Sequence, residues 1–154
     1  MPAIFKRVQP AWLIIVFTVA VAGCGGKDAV APADVEKQAW EDLRNEVRET
    51  VADAERESEV IALVNILERD LNALRSVVDE RINRARQLNA DYDTTRVEFE
   101  SFLTEISKQA ELQRKKVSES HVALVSFTTA DEWAQISKTS TKAMKSTMQT
   151  MQAI

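Results

Sequence analysis

The stretch V60-IALVNILERDLNALRSVVDERINRARQLN-A90 decides the fold. Val64, Leu67, Leu71, Leu74, Val78, Ile82, Ala85 and Leu88 recur in it at steps of three and four. That spacing gathers them on one side of an α-helix, and its closeness to a heptad suits a seam that fits another helix at a shallow crossing angle. Such a helix requires a helical partner, and the rest of the chain supplies several. After Pro32 neither Gly nor Pro occurs for 122 residues, so the usual punctuation of strands and loops is missing. The chain reads as all-α, an up-and-down bundle of three to four long amphipathic helices built around a coiled-coil-like hairpin.

On the N-terminal side, Val35, Trp40, Leu43, Val47, Val51 and Ala54 share one helical face among charged neighbours. Pro32 suits the first turn of this helix. Between Asp34 and Glu59 there are ten acids against four bases, and the apolar pattern lapses at Glu55-Arg56-Glu57-Ser58-Glu59, which predicts a bend near Glu55 to Ser58. On the C-terminal side, Asn89 to Thr95 collects residues that favour caps and turns, and Thr95 with Glu98 matches a capping box. The apolar stripe nevertheless runs on through Tyr92, Phe99, Phe102 and Ile106. One uninterrupted helix from Val60 to Leu124 would be about 98 Å long and would leave its apolar face wet, so a hairpin near Asp91 is the better reading.

The third stripe holds Val97, Phe99, Phe102, Leu103, Ile106, Ala110 and Val117, with Glu111 and Lys115 spaced for an ion pair. Val122 to Phe127 has no strand to pair with and reads as a helix end. Thr129 and Glu132 form a second capping-box pattern that opens a last helix. This helix carries Trp133, Ile136, Ala143, Met144, Met148 and Met151 along one side, and its bases Lys138, Lys142 and Lys145 follow its last acid, Glu132. Its positive charge against the acidic first segment predicts that the two ends of the chain lie side by side.

Chemistry-bearing groups are few. His121 is the only histidine, which excludes a two-histidine metal site within one chain and reads as a partly exposed residue near a helix end. Asp91, Asp93 and Glu98 lack the Gly and the spaced oxygen ligands of a calcium loop. Beyond Gly26 no glycine remains to cradle a phosphate. Met144, Met148 and Met151 have the spacing of core packing, which is also that of an adaptable protein-binding face or a Cu(I) site. Trp133, Ile136, Met144, Met148 and Met151 are therefore the candidate partner-binding face. No catalytic residue, metal or cofactor is expected.

The first 32 residues have a different character. Lys6 and Arg7 precede an apolar run, Ala11 to Ala22, too short to span a bilayer and followed by Val21-Ala22-Gly23-Cys24. This arrangement resembles the bacterial lipoprotein signal peptide, whose lipobox joins an aliphatic residue and two small ones to an invariant cysteine. The resemblance implies cleavage after Gly23, diacylglycerol on the Cys24 sulfur and a further fatty acid on its amino group. Residues 1–23 would then be the signal, 24–32 (CGGKDAVAP) a lipidated tether and 33–154 the helical domain. Cleavage leaves 131 residues and takes the formal charge from −4 to −6 by removing Lys6 and Arg7. That sign disfavours nucleic acid and anionic lipid as partners, leaving the acyl chains as the membrane attachment. Cys24 is the only cysteine, so no internal disulfide forms.

The expectation is a noncatalytic, lipid-anchored envelope protein, in the outer membrane and facing the periplasm where Gly25 follows the cysteine. It would bind or scaffold another envelope protein through helical surfaces, as a monomer or small homo-oligomer. The alternative is a periplasmic chaperone or stress-response module that resembles Spy and CpxP in outline. In place of their LTxxQ motif, Phe127 to Trp133 has Phe for Leu and acids where Gln would fall.

Overall fold

A computed structural model describes residues 31–152. Four helices follow one another: α1 (Pro32–Thr50), α2 (Ala54–Ala90), α3 (Arg96–Phe127) and α4 (Ala130–Gln152). The expected signal sequence, Cys24 and nearly all of the expected tether lie outside the described residues. Among the described residues no helix is long and apolar enough to cross a membrane.

The chain reverses direction three times without a glycine, and short polar side chains make this possible. Val51 is extended and buried at the end of α1, and Asp53 caps α2 by accepting from the Arg56 backbone N–H at 2.9 Å. The break therefore falls at Val51 to Asp53, a few residues before the predicted Glu55 to Ser58, because the Asp53 cap lets a charged segment begin α2. Ala54 belongs to α2 and is exposed, as is Val35, so neither joins the α1 seam.

The hairpin near Asp91 is present. Asp91 Oδ1 accepts from the Asp93 N–H at 3.0 Å and its carbonyl accepts from the Thr94 N–H at 3.2 Å, so one residue closes the turn. Thr95 and Glu98 complete the predicted capping box, which holds the Glu98 carboxyl below its ordinary pKa. At the last corner, Glu132 N–H donates to Thr129 Oγ1 and Thr129 N–H donates to Glu132 Oε2, a second complete box. On α3, Lys115 pairs with Glu119 at 3.8 Å instead of with the expected Glu111, the other acid four residues away.

The helices pack as a hairpin, α2 with α3, carrying a second antiparallel pair, α1 with α4. α2 is about 55 Å long and α1 about 28 Å, at 1.5 Å per residue. The core lies where all four meet, around Trp40, Leu43, Val47, Val60, Val64, Leu67, Leu71, Leu124, Ile136 and Ala143. Opposite charge does bring the chain ends together: Lys142 of α4 bonds Asp42 of α1 at 2.7 Å and lowers that carboxyl's pKa. Beyond the level of Arg75, which meets Glu36 near the start of α1 and Thr150 near the end of α4, the hairpin projects as an arm. No residue of α2 after Leu71 and none of α3 before Ile106 is fully buried.

Candidate functional site

The candidate face on α4 divides between core and surface. Ile136 is fully buried within the four-helix core and is not available to a partner, because the α4 seam runs through Ile136, Ser140, Ala143 and Thr147. Trp133, Met144 and Met151 are half-buried against the same core, and Met148 is exposed at 44%. Trp133 also meets His121 edge to face, ring centres 5.7 Å apart. The methionine spacing thus serves mainly the protein's own packing, with Met148 as its outward member.

A polar cluster that the sequence reading passed over sits beside this seam. Glu36, 6% exposed, accepts from Thr147 Oγ1 and Thr150 Oγ1 at 3.0 Å each and from Arg75. The two hydroxyls accept in turn, Thr147 from Trp40 Nε1 at 3.0 Å and Thr150 from Arg75 at 2.8 Å. Donors from α2 and α4 thus converge on the carboxylate of α1, although each hydroxyl also has a backbone carbonyl in reach, Ala143 for Thr147 and Thr147 for Thr150. A carboxylate so fully engaged is a clamp, since a general base needs a lone pair aimed at a substrate.

Two further clamps join the elements. Arg44 of α1 bonds Asn65 and Glu68 of α2. Arg56 of α2 holds both oxygens of Glu132 at 2.8 Å, and with the Thr129 backbone it brings that carboxyl down to about 2 while the Arg56 pKa rises.

Several concave regions lie along the α2–α3 hairpin. Two of them are shallow grooves of similar size. One of about 520 Å³ lies between Leu63, Ile66, Asp70 and Ala73 of α2 and Gln113, Lys116 and Ser120 of α3. Another of about 530 Å³ flanks the arm's tip at Leu88, Thr95, Phe99 and Leu103. A further one of about 450 Å³ lies on the tip's other side against Arg84, Leu88, Val97 and Phe102. Among the described residues no three His, Cys, Asp or Glu side chains gather as a metal site. Asp91 and Glu98 serve the turn and the cap. The hydroxyl groups nearest to His121 in sequence are accounted for locally at Ser120, which donates to the α3 backbone.

Comparison with known proteins finds no matching family model, no matching curated protein and no matching solved structure.

Proposed function

We propose that this chain is a lipid-anchored, noncatalytic envelope protein that binds or scaffolds another envelope protein through its helical surfaces. The observation that carries the reading is the lipobox-like Val21-Ala22-Gly23-Cys24 at the end of an apolar run that follows Lys6 and Arg7. Two or three acyl chains on Cys24 would hold the protein on the membrane without help from basic residues, which an acidic domain does not offer. The body is a helical frame braced by part-buried ion pairs, with an arm whose apolar seam is only half covered. Half-covered apolar seams on rigid helices bind other helices well.

The test has two parts. Fatty-acid labelling in a bacterial host, with Cys24→Ser beside the parent chain, reads the anchor. Label that persists in Cys24→Ser overturns it. Crosslinking in cells, affinity recovery and mass spectrometry then read the partner. One dominant envelope protein in near-equal amount is the expected result. A broad set of envelope proteins that grows under unfolding stress would instead support the chaperone alternative, and intrinsic turnover abolished by changing His121 would overturn both.

A further inference from the structure

The arm projects from the end of the body at which α1 begins. Pairs across α1 and α2 match late residues of one with early residues of the other, Glu36 with Arg75 and Arg44 with Glu68, so the two helices run antiparallel. Glu36 is level with Arg75, and Pro32 lies about 6 Å nearer the tip at 1.5 Å per residue. From Arg75 to Ala90 α2 rises by about 22 Å, which leaves about 16 Å of arm beyond Pro32. The chain from Cys24 to Pro32 spans at most about 29 Å. A lipid on Cys24 therefore reaches the plane of the arm's tip. With the arm pointing at the bilayer, the same limit keeps the tip within about 13 Å of it.

The two ends of the molecule differ in charge. The last ten residues of α2 hold Arg81, Arg84 and Arg86 and no acid, and all three arginines are exposed. Among the described residues none of them forms an ion pair, and Arg84 bonds the neutral Gln87. Nearby, Asp91 closes the turn, Glu98 caps α3 and Glu100 holds Arg96, which leaves Glu80 and Asp93 as the exposed acids beside them. The opposite end is strongly acidic. Its two corners meet where Arg56 bonds Glu132 and the Phe127 carbonyl, and they carry Asp53, Glu55, Glu57, Glu59, Asp131 and Glu132 against that one arginine. The tip also shows apolar surface, since Tyr92 is fully exposed and Val97 is 71% exposed.

We propose that the tip of the α2–α3 arm rests on the lipid surface to which Cys24 anchors the chain. The proposal builds on the lipid anchor argued above and gives the molecule a second point of contact. The acyl chains supply the attachment, and the arm sets the orientation. The Tyr92 ring enters the headgroup layer, which suits a ring with an apolar face and a hydroxyl that stays wet, and Val97 follows it. Arg81, Arg84 and Arg86 lie against lipid phosphates, within the short range over which an anionic surface acts on charge. Turned over, the molecule presses six acids on the same surface. Arm down, it holds those acids about 55 Å away, the length of α2, and presents the four-helix body to partners beyond the bilayer.

The experiment places the full chain, made in a bacterial host, in vesicles of phosphatidylglycerol and brominated phosphatidylcholine in equal amount. Bromine on the acyl chains quenches indole emission at short range. Tyr92→Trp puts a reporter at the tip and Phe127→Trp puts one at the far corner, with the parent chain as the background for its own tryptophans. The expected result is that the emission added by Tyr92→Trp falls about twofold, while that added by Phe127→Trp is unchanged. Reversing Arg81, Arg84 and Arg86 together to Glu abolishes the quenching at the tip while the chain still floats with the vesicles. These three positions are exposed, and unchanged helical circular dichroism confirms the fold. No quenching at the tip, equal quenching at both ends, or quenching that survives the triple reversal overturns the proposal. Where fatty-acid labelling of Cys24 fails, the same chain is coupled through that thiol, its only one, to a maleimide-bearing lipid and the quenching is read again. Failure of the anchor and failure of the tip contact are thereby told apart.

Discussion

Glu36→Ala removes the anion at which α1, α2 and α4 converge. Arg75 would be left facing the Thr150 hydroxyl alone, and breaking a buried pair from one side costs about 3–5 kcal/mol. Two features reduce that here. The Arg75 side chain is 24% exposed, so water solvates part of the orphaned charge. Thr147 and Thr150 also have second acceptors in reach, the Ala143 carbonyl at 3.4 Å and the Thr147 carbonyl at 2.7 Å. The expected cost is about 2–3 kcal/mol. A domain of this size has about 6–18 kcal/mol in total, and 1 kcal/mol moves the thermal midpoint by about 4 °C, so the midpoint should fall by about 8–12 °C.

Urea unfolding followed by circular dichroism measures the change, with Arg75→Met and the double variant completing a cycle. Removing both charges leaves no orphan. The double variant should therefore be more stable than the sum of the single losses predicts, by about 1–2 kcal/mol. A loss below about 1 kcal/mol for Glu36→Ala, or strict additivity in the cycle, would refute the argument that this anion holds the three helices together.

Leu67→Ala empties a fully buried position at the centre of the core and should cost about 3 kcal/mol by the same unfolding assay. Glu132→Gln removes the anion that both caps α4 and holds Arg56, at a cost of about 1 kcal/mol near neutral pH. Because the folded pKa of Glu132 is depressed to about 2 from 4.5, its contribution is complete above the unfolded value and is lost as pH falls from about 5 towards 2. The gap between parent and variant should close over that window in acid titrations of stability. Thr95→Ala should accelerate amide exchange at residues 96–99 while leaving the global midpoint in place, because the arm lies outside the four-helix core.

The helices and corners were legible because they rest on local chemistry. Asp91 and the Thr95–Glu98 and Thr129–Glu132 pairs act within four residues, and opposite charge on α1 and α4 acts through bulk composition. The α4 seam was not legible as such, because an apolar criterion selects Met144, Met148 and Met151 over Ser140 and Thr147. Small and hydroxyl side chains nonetheless face α1 there, since Trp40 fills the space and needs a hydrogen-bond acceptor for its indole. Glu36 was hidden for a related reason: it stands four residues before Trp40, in phase with Leu43 and Val47, where a charge normally argues for solvent. Only the tertiary arrival of Arg75, 39 positions later, makes that site tolerable.

The two faces of α2 carry the same lesson further. One 37-residue helix contains the inner series Val64, Leu67, Leu71 and the outer series Leu63, Ile66, Ala73, Val77, and a single hydropathy pattern merges them into one broad stripe. An isolated antiparallel pair needs only one seam, so breadth of this kind implies neighbours on two sides. α1 and α4 account for one of them along the body, and α3, the other half of the hairpin, accounts for the second.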